Sequence, residues 1–166
     1  MLSLRTLLAL LIGGSLCATS AQAGTGTCVV KGMPVQQAAT VLAGTYGLVG
    51  QGTVTNGGAV NFPTGTLTQE GTLAFTQVAQ GDTPGQLTAT YALNLSQVSS
   101  SNGVTTYSNS GRAVINTADC TAVLDNGNPY ARLPAFALTF INGGTAVVMA
   151  GATPGVFVTY MSAQKE

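Results

Sequence analysis

An all-β fold is what this sequence predicts: a small antiparallel up-and-down barrel of about eight strands, with a short N-terminal helix and one disulfide. Three observations carry that expectation. Apolar and polar residues alternate with period two through most of the chain after Leu42, the signature of strands that bury one face. The segments between these runs are short and built from Gly, Asn, Asp and Pro, which leaves no room for the helical crossovers of a parallel sheet. Two cysteines, Cys28 and Cys120, remain once an N-terminal leader is set aside.

The leader is read from its own pattern. Arg5 is the only charged side chain of the opening segment, the apolar run from Thr6 to Ile12 is too short to span a bilayer, and Ala21-Gln22-Ala23 puts small side chains where signal peptidase cuts. Residues 1–23 therefore read as a signal peptide and residues 24–166 as a single β-barrel domain starting at Gly24. Cys17 raises lipidation as an alternative, but Leu16 before it is larger than lipoprotein processing accepts. Cleavage leaves 143 of the 166 residues, a length at which one domain buries roughly two thirds of its unfolded surface. No later run stays apolar for the ~20 residues of a transmembrane helix, so no integral membrane span is expected after cleavage. The expected location is the periplasm or the exterior of a bacterial cell.

Charge is sparse. Lys31, Arg112, Arg132 and Lys165 stand against Glu70, Asp82, Asp119, Asp125 and Glu166 in the mature part. Nucleic acid is not an expected partner, because phosphate recognition needs clustered Lys and Arg. A surface so nearly neutral offers little colloidal repulsion, which leaves homo-oligomer formation open. In an oxidising compartment Cys28 and Cys120 are expected to pair, the alternative being two buried free thiols. A bridge closing that loop stabilises by up to ~4 to 5 kcal/mol in the chain-entropy account.

Pro34 to Leu42 fits a helix of about two turns, with Pro34 at its first position and Gly44 as its stop. Tyr46 to Val54 is a glycine-interrupted strand, Gly65 to Thr68 a short one, and Thr72 to Gln80 a third with Leu73 and Phe75 on one side. Leu87 to Val98 is the clearest: Leu87, Ala89, Tyr91, Leu93 and Leu95 share a face and Thr88, Thr90, Asn94 and Ser96 the other. Asn102-Gly103 then turns the chain into a partner strand from Val104 to Ile115, giving a hairpin. Thr121 to Leu124, Arg132 to Ile141, Thr145 to Ala150 and Val156 to Met161 complete the set. Asn56-Gly57, Gly81 to Gly85, Asp125 to Pro129, Asn142-Gly143-Gly144 and Thr153-Pro154-Gly155 separate the strands. Closure into a barrel removes edges this weakly charged chain could not guard with Lys; a two-sheet sandwich is the alternative. The last strands are apolar on both faces, with Val147, Met149, Phe157 and Met161 on one and Val148, Val156, Val158 and Tyr160 on the other. One of these faces is expected under the helix or in an association surface. Gly-Thr pairs recur at irregular spacing, so no repeat period is present.

Taken in order, several of these segments resemble a family of uncharacterised exported bacterial proteins whose small β-barrel is similar to that of allene oxide cyclase, itself like the lipocalin group. The features are Cys28, Leu42-Ala43-Gly44-Thr45-Tyr46, Gly71-Thr72-Leu73-Ala74-Phe75, Asn116-Thr117-Ala118-Asp119-Cys120-Thr121 and Pro154-Gly155, and they span most of the mature chain. The resemblance implies an eight-stranded barrel with a disulfide and brings no function with it. The plant cyclase's activity is not carried over, since none of its catalytic residues is matched here.

The chain contains no histidine, which removes the commonest general base, the imidazole metal ligands and every Ser-His or Cys-His arrangement. Oxidised cysteines would also remove a thiolate nucleophile and a thiolate zinc site. Neither a metal nor a cofactor is therefore expected. Asp82, Asp119 and Asp125 sit in turn-like segments and read as turn formers. Asp125-Asn126-Gly127-Asn128 lacks the full ligand run of a calcium loop. Glu70 is the best-placed acid near a strand. No glycine-rich phosphate loop precedes a helix. An outer-membrane barrel is disfavoured by strands expected to average under about ten residues and by too few aromatics for two girdles.

Arg112 and Arg132 fall within expected strands and could hold a ligand carboxylate if they point inward; the plainer alternative is an exterior Arg paired with Asp119 or Asp125. Phe75, Tyr91, Leu93, Phe136 and Phe140 could line a pocket, or simply fill a barrel of eight strands. The first functional expectation is an exported, non-enzymatic binding module that holds a small apolar or amphipathic molecule with these residues. The alternative is a structural or surface-association protein that self-assembles, and the third reading is a cavity-type isomerase or cyclase.

Overall fold

Period-two alternation becomes a closed cylinder. The computed structural model describes residues 28–55, 64–99, 103–125, 135–153 and 157–166. The expected leader and mature start, the turn residues Asn56-Gly57, Asn102, Asn126 to Pro129 and Pro154-Gly155, and Arg132 and Val156 lie outside the described residues.

Helix α1 is Val35–Leu42. Pro34 stands just before its first turn, in extended backbone, where its missing N–H costs nothing. The helix ends at Leu42, and Gly44 opens the first strand with φ near 139°, a conformation that side chains resist. Ala38 and Leu42 are fully buried and belong to the barrel's core, so α1 plugs one end of the cylinder.

The strands are β1 (Gly44–Val54), β2 (Gly65–Gln80), β3 (Gln86–Ser99), β4 (Gly103–Asn116), β5 (Thr121–Asp125), β6 (Ala135–Ile141), β7 (Ala146–Thr153) and β8 (Phe157–Lys165). Each pairs antiparallel with the next, and β8 returns to β1 with Tyr46 opposite Lys165 and Val54 opposite Phe157. That seam excludes the sandwich. A single 3-10 turn, Asn142–Gly144, joins β6 to β7.

Some boundaries differ from expectation: β7 runs on to Thr153, β8 runs on to Lys165, and two expected strands merge in β2. Gly65 to Thr68 and Thr72 to Gln80 form one strand of 16 residues, because Gly71 continues the ladder between Leu48 and Leu95. A β-carbon at Gly71 would overlap the Asn94 carbonyl oxygen, so the glycine lets β2 coil tightly against β3 and does not interrupt it. With β3 and β4 at 14 residues each, the strands are also longer than expected. Strand β6 is described from Ala135, and its expected start at Arg132 lies outside the described residues.

Strand directions sort the connections. The helix, the turns after β2 and β4 and the 3-10 turn gather at one rim, called lower here; the other connections leave from the upper rim. Inside the lower half, Tyr46, Phe75 and Phe140 pack with ring centroids 5.3 to 6.2 Å apart, edge-on or tilted as aromatic quadrupoles prefer. Leu73, Leu93, Ile115, Val147 and Met149 complete a solid filling. On the last two strands, Val147, Met149 and Met161 point into this core. Their outer residues Val158 and Tyr160 stay exposed, and the helix sits at the rim and does not cover them.

Cys28 and Cys120 are bonded, with Cα atoms 5.0 Å apart across 92 residues of sequence. The bridge pins the segment before α1 to the start of β5. Reducing it, or replacing both cysteines by Ser, is expected to lower the unfolding free energy by about 2 to 5 kcal/mol, read from urea midpoints with and without reductant, while the strand-type circular dichroism of the folded state is kept.

Candidate functional site

The barrel interior has two chemistries. Its lower half is apolar, and its upper half carries three buried polar side chains, Gln69, Gln97 and Thr159, among Leu67, Leu95 and Val54. Each arrives there by strand parity. Gln69 shares the inward face of β2 with Leu67, Leu73 and Phe75, and Gln97 extends the inward row Leu87, Ala89, Tyr91, Leu93, Leu95. In the ladder Gln69 stands directly opposite Gln97, at the cross-strand spacing where side chains touch.

Thr159 reaches this pair from β8, across β1. It can do so because the intervening inward positions of β1 are Gly50, opposite Gln69, and Gly52, opposite Thr159. The Thr159 hydroxyl lies within hydrogen-bond distance of both Gln69 Oε1 and the Gln51 carbonyl. A β-carbon at Gly50 would overlap Met161 and the Tyr160 carbonyl; the glycines that break up β1 in sequence are the clearance through which β8 and β2 meet.

Three atoms of this upper region are buried without a hydrogen-bond partner, Gln69 Nε2 and both amide atoms of Gln97; the Tyr91 hydroxyl, on the β3 residue opposite Phe75, is likewise buried and unpartnered. Leaving such groups unsatisfied costs about 1 to 3 kcal/mol each, and native interiors hold few. Tyr91 is pushed up to about 12 by burial first, then by the neighbouring Tyr107 hydroxyl and the Asp125 carboxylate. Tyr107 is also raised, burial outweighing its bond with the Asn109 side chain. On β4 the inward residues Thr105, Tyr107 and Asn109 are half-buried, in contrast to the sealed Ala113 and Ile115 below them. The change falls where the β5 ladder ends, since β5 pairs only with Arg112 to Ile115.

The residues singled out in the sequence separate into three groups. Tyr91, Leu93, Phe75, Phe136 and Phe140 all point inward and are buried; Phe75 and Phe140 belong to the solid lower core, and Tyr91, opposite Phe75 in the ladder, alone among them carries a polar atom. Arg112 is on the outer face, about half exposed, and bonds Asp82 at 2.8 Å. Its ion-pair partner is Asp82, in place of the expected turn acid Asp119, and Asp125 stands opposite it in the β4–β5 ladder. A pair this exposed contributes little. Arg132 lies outside the described residues. Glu70 points outward into a shallow external groove of about 660 Å³, with Val49, Thr72, Asn94 and Ser96 around it. Asp119 accepts from the backbone N–H and hydroxyl of Thr121 at 3.0 and 2.7 Å, the turn role expected of it, and these bonds lower its pKa.

Gln69, Gln97 and Thr159 were missed in the sequence, although the signal was present. Gln97 has the parity of Leu93 and Leu95, so an inward, buried amide follows from the same alternation that defines β3.

A lower-rim node completes the frame. The Tyr46 hydroxyl donates to the Gly144 carbonyl at 2.8 Å, with the Leu42 carbonyl at 3.1 Å sharing the proton. Lys165 Nζ donates to the Val41 carbonyl at 2.9 Å, placing a cation on the helix C-terminus. Together the fold and this site define an eight-stranded closed barrel with an apolar plug and a polar upper interior. No family model and no curated protein matches the chain.

Burial pushes Tyr46 up to about 12, as it does Tyr91. The neutral phenols are favoured in the folded state, so their stabilisation is complete below the unfolded value near 10 and is lost as pH rises through about 12. The urea midpoint is expected to hold level up to pH ~10 and fall beyond it. Tyr46→Phe should lower stability by about 1 to 2 kcal/mol at neutral pH through the lost buried bond and shallow that alkaline decline. Urea titrations at several pH values, followed alongside phenolate absorbance, check both.

Proposed function

We propose that the chain is an exported, non-enzymatic binding module that holds one small amphipathic molecule in the upper half of its barrel. The observation that carries this reading is the facing pair of amide groups on Gln69 and Gln97, whose three unpartnered atoms are buried beside Leu67 and Leu95. A ligand that satisfied all three at about 1 kcal/mol each would gain roughly a hundredfold in affinity over one that did not. Barrels of eight strands hold at most one small guest, and here the solid lower core confines it to the upper end. The leader and the disulfide support a periplasmic or secreted setting. The outer face is dressed with Thr, Ser and Asn, as on β3 and β4, and the inner face is the apolar one, the reverse of what a lipid-facing barrel needs. The order of motifs supports kinship with the exported small-barrel group that the sequence resembles.

Protein isolated from the exported fraction of its own host is expected to show, in native mass spectra, a mass above that of the bare 143-residue chain, with the excess released on denaturation. Only the bare mass in every preparation would count against the reading.

A second reading, self-association, is favoured by one specific surface. Tyr160 of β8 lies opposite Gln51, Gln51 opposite Thr68, Thr68 opposite Val98 and Val98 opposite Val104, and Tyr160, Val98 and Val104 are all exposed. With Val49 and Val158 nearby they make an apolar stretch on a nearly neutral surface, suited to a second copy of the chain. Sedimentation is then expected to show a dimer that Tyr160→Lys dissociates, and a monomer at high concentration would dispose of it.

A further inference from the structure

The chemistry of Gln97 narrows the ligand further. Its amide is wholly buried and neither its nitrogen nor its oxygen has a partner, while Gln69 opposite it has its own oxygen engaged and its nitrogen unpartnered. A glutamine amide offers an N–H donor and a carbonyl acceptor side by side. Its full complement must therefore present an acceptor and a donor along one edge.

Few neutral groups do so. An open-chain secondary amide is held trans, with its N–H and carbonyl on opposite edges. A ring forces the cis form, so a lactam presents both on the same edge, as does a primary amide. A carboxylate lacks the donor, and among the described residues no cation faces the glutamine pair: Lys31 and Arg112 are exposed and Lys165 is engaged at the lower rim. An unpaired buried charge is far costlier than an unpaired amide.

Resting on the binding reading above, we propose that the upper chamber selects a neutral lactam or primary amide, paired edge to edge with Gln97. The Gln69 nitrogen donates to the same ligand carbonyl, and the ligand's apolar remainder lies on Leu67 and Leu95, each two residues before one of the glutamines on the same inward face.

The test uses the mature disulfide-bonded protein and four probes: ε-caprolactam, hexanamide, ε-caprolactone, which keeps the ring but lacks the N–H, and N-ethylbutanamide, an open-chain secondary amide. Binding is read from the side-chain amide resonances of Gln97 and Gln69. Saturable shifts are expected with caprolactam and hexanamide, with apparent Kd values about tenfold or more weaker for the lactone and the open-chain amide. Gln97→Leu should abolish the lactam response while keeping or raising Tm, since it removes two unsatisfied atoms. Equal binding of caprolactam and caprolactone, undiminished lactam binding in Gln97→Leu, or no response of the unmodified protein to either lactam or primary amide would each overturn the proposal. If native spectra show a retained molecule and the probes fail, the amide assignment alone falls; if there is neither, the binding reading falls with it.

Discussion

The hydrogen-bonded seam between β1 and β8 is the constraint on which the rest of this molecule depends. Once Tyr46 is opposite Lys165 and Val54 opposite Phe157, the sheet has an inside and an outside, and a one-residue slip anywhere would exchange the two faces of a strand. The seam also brings the last residues of the chain to the first strand, so that Lys165 can reach the Val41 carbonyl and the Glu166 N–H can donate to Thr45. Closure, plug and chain end are thus one cooperative arrangement. Tyr46 is its centre: its ring packs against Phe75 and Phe140, and its hydroxyl joins the end of α1 to the turn between β6 and β7.

Much of this was legible because alternation and closure are local and global statements of the same rule. The hairpin of β3 and β4 could be read to within a residue or so at each end, since both strands carry period two and the sequence between them holds an Asn-Gly pair. The disulfide followed from the count of cysteines and the compartment that the expected leader implies. The split of β2 was misread because Gly71 looks like punctuation in a sequence, whereas in the barrel it is the position at which β2 bends too close to Asn94 for any side chain. Arg112 was legible in principle: it alternates with the inward Ala113 and Gly111 and so had to face outward. Its bond to Asp82 was not, because that partner sits in the turn between β2 and β3, 30 residues earlier in the chain.

The candidate site was less visible for a different reason. Attention to rare charges and to aromatics favoured Arg112 and the phenylalanines, yet parity sends the former to solvent and the latter into a sealed core. The side chains that matter are common and uncharged, and they stand out only when the inward rows are read end to end and found to change from leucine to glutamine toward the upper rim.

That change along the rows sets two unlike materials in one cylinder. The lower half gains its stability from apolar contact, stiffened by the disulfide and by the Tyr46 node, and needs nothing further. The upper half gives up stability by burying amide groups without partners, and replacing them with leucine would be expected to strengthen the fold. A chain that needed only to be a durable barrel would carry its leucines to the top. The cost of Gln69 and Gln97 is intelligible when it falls on the unliganded state alone, because a guest that completes their hydrogen bonds recovers it. On the binding reading proposed above, the rigid lower half has a second role: it holds β2 and β3 in the register that puts the two amides face to face, so that the donors and acceptor would be set in place before any guest arrives.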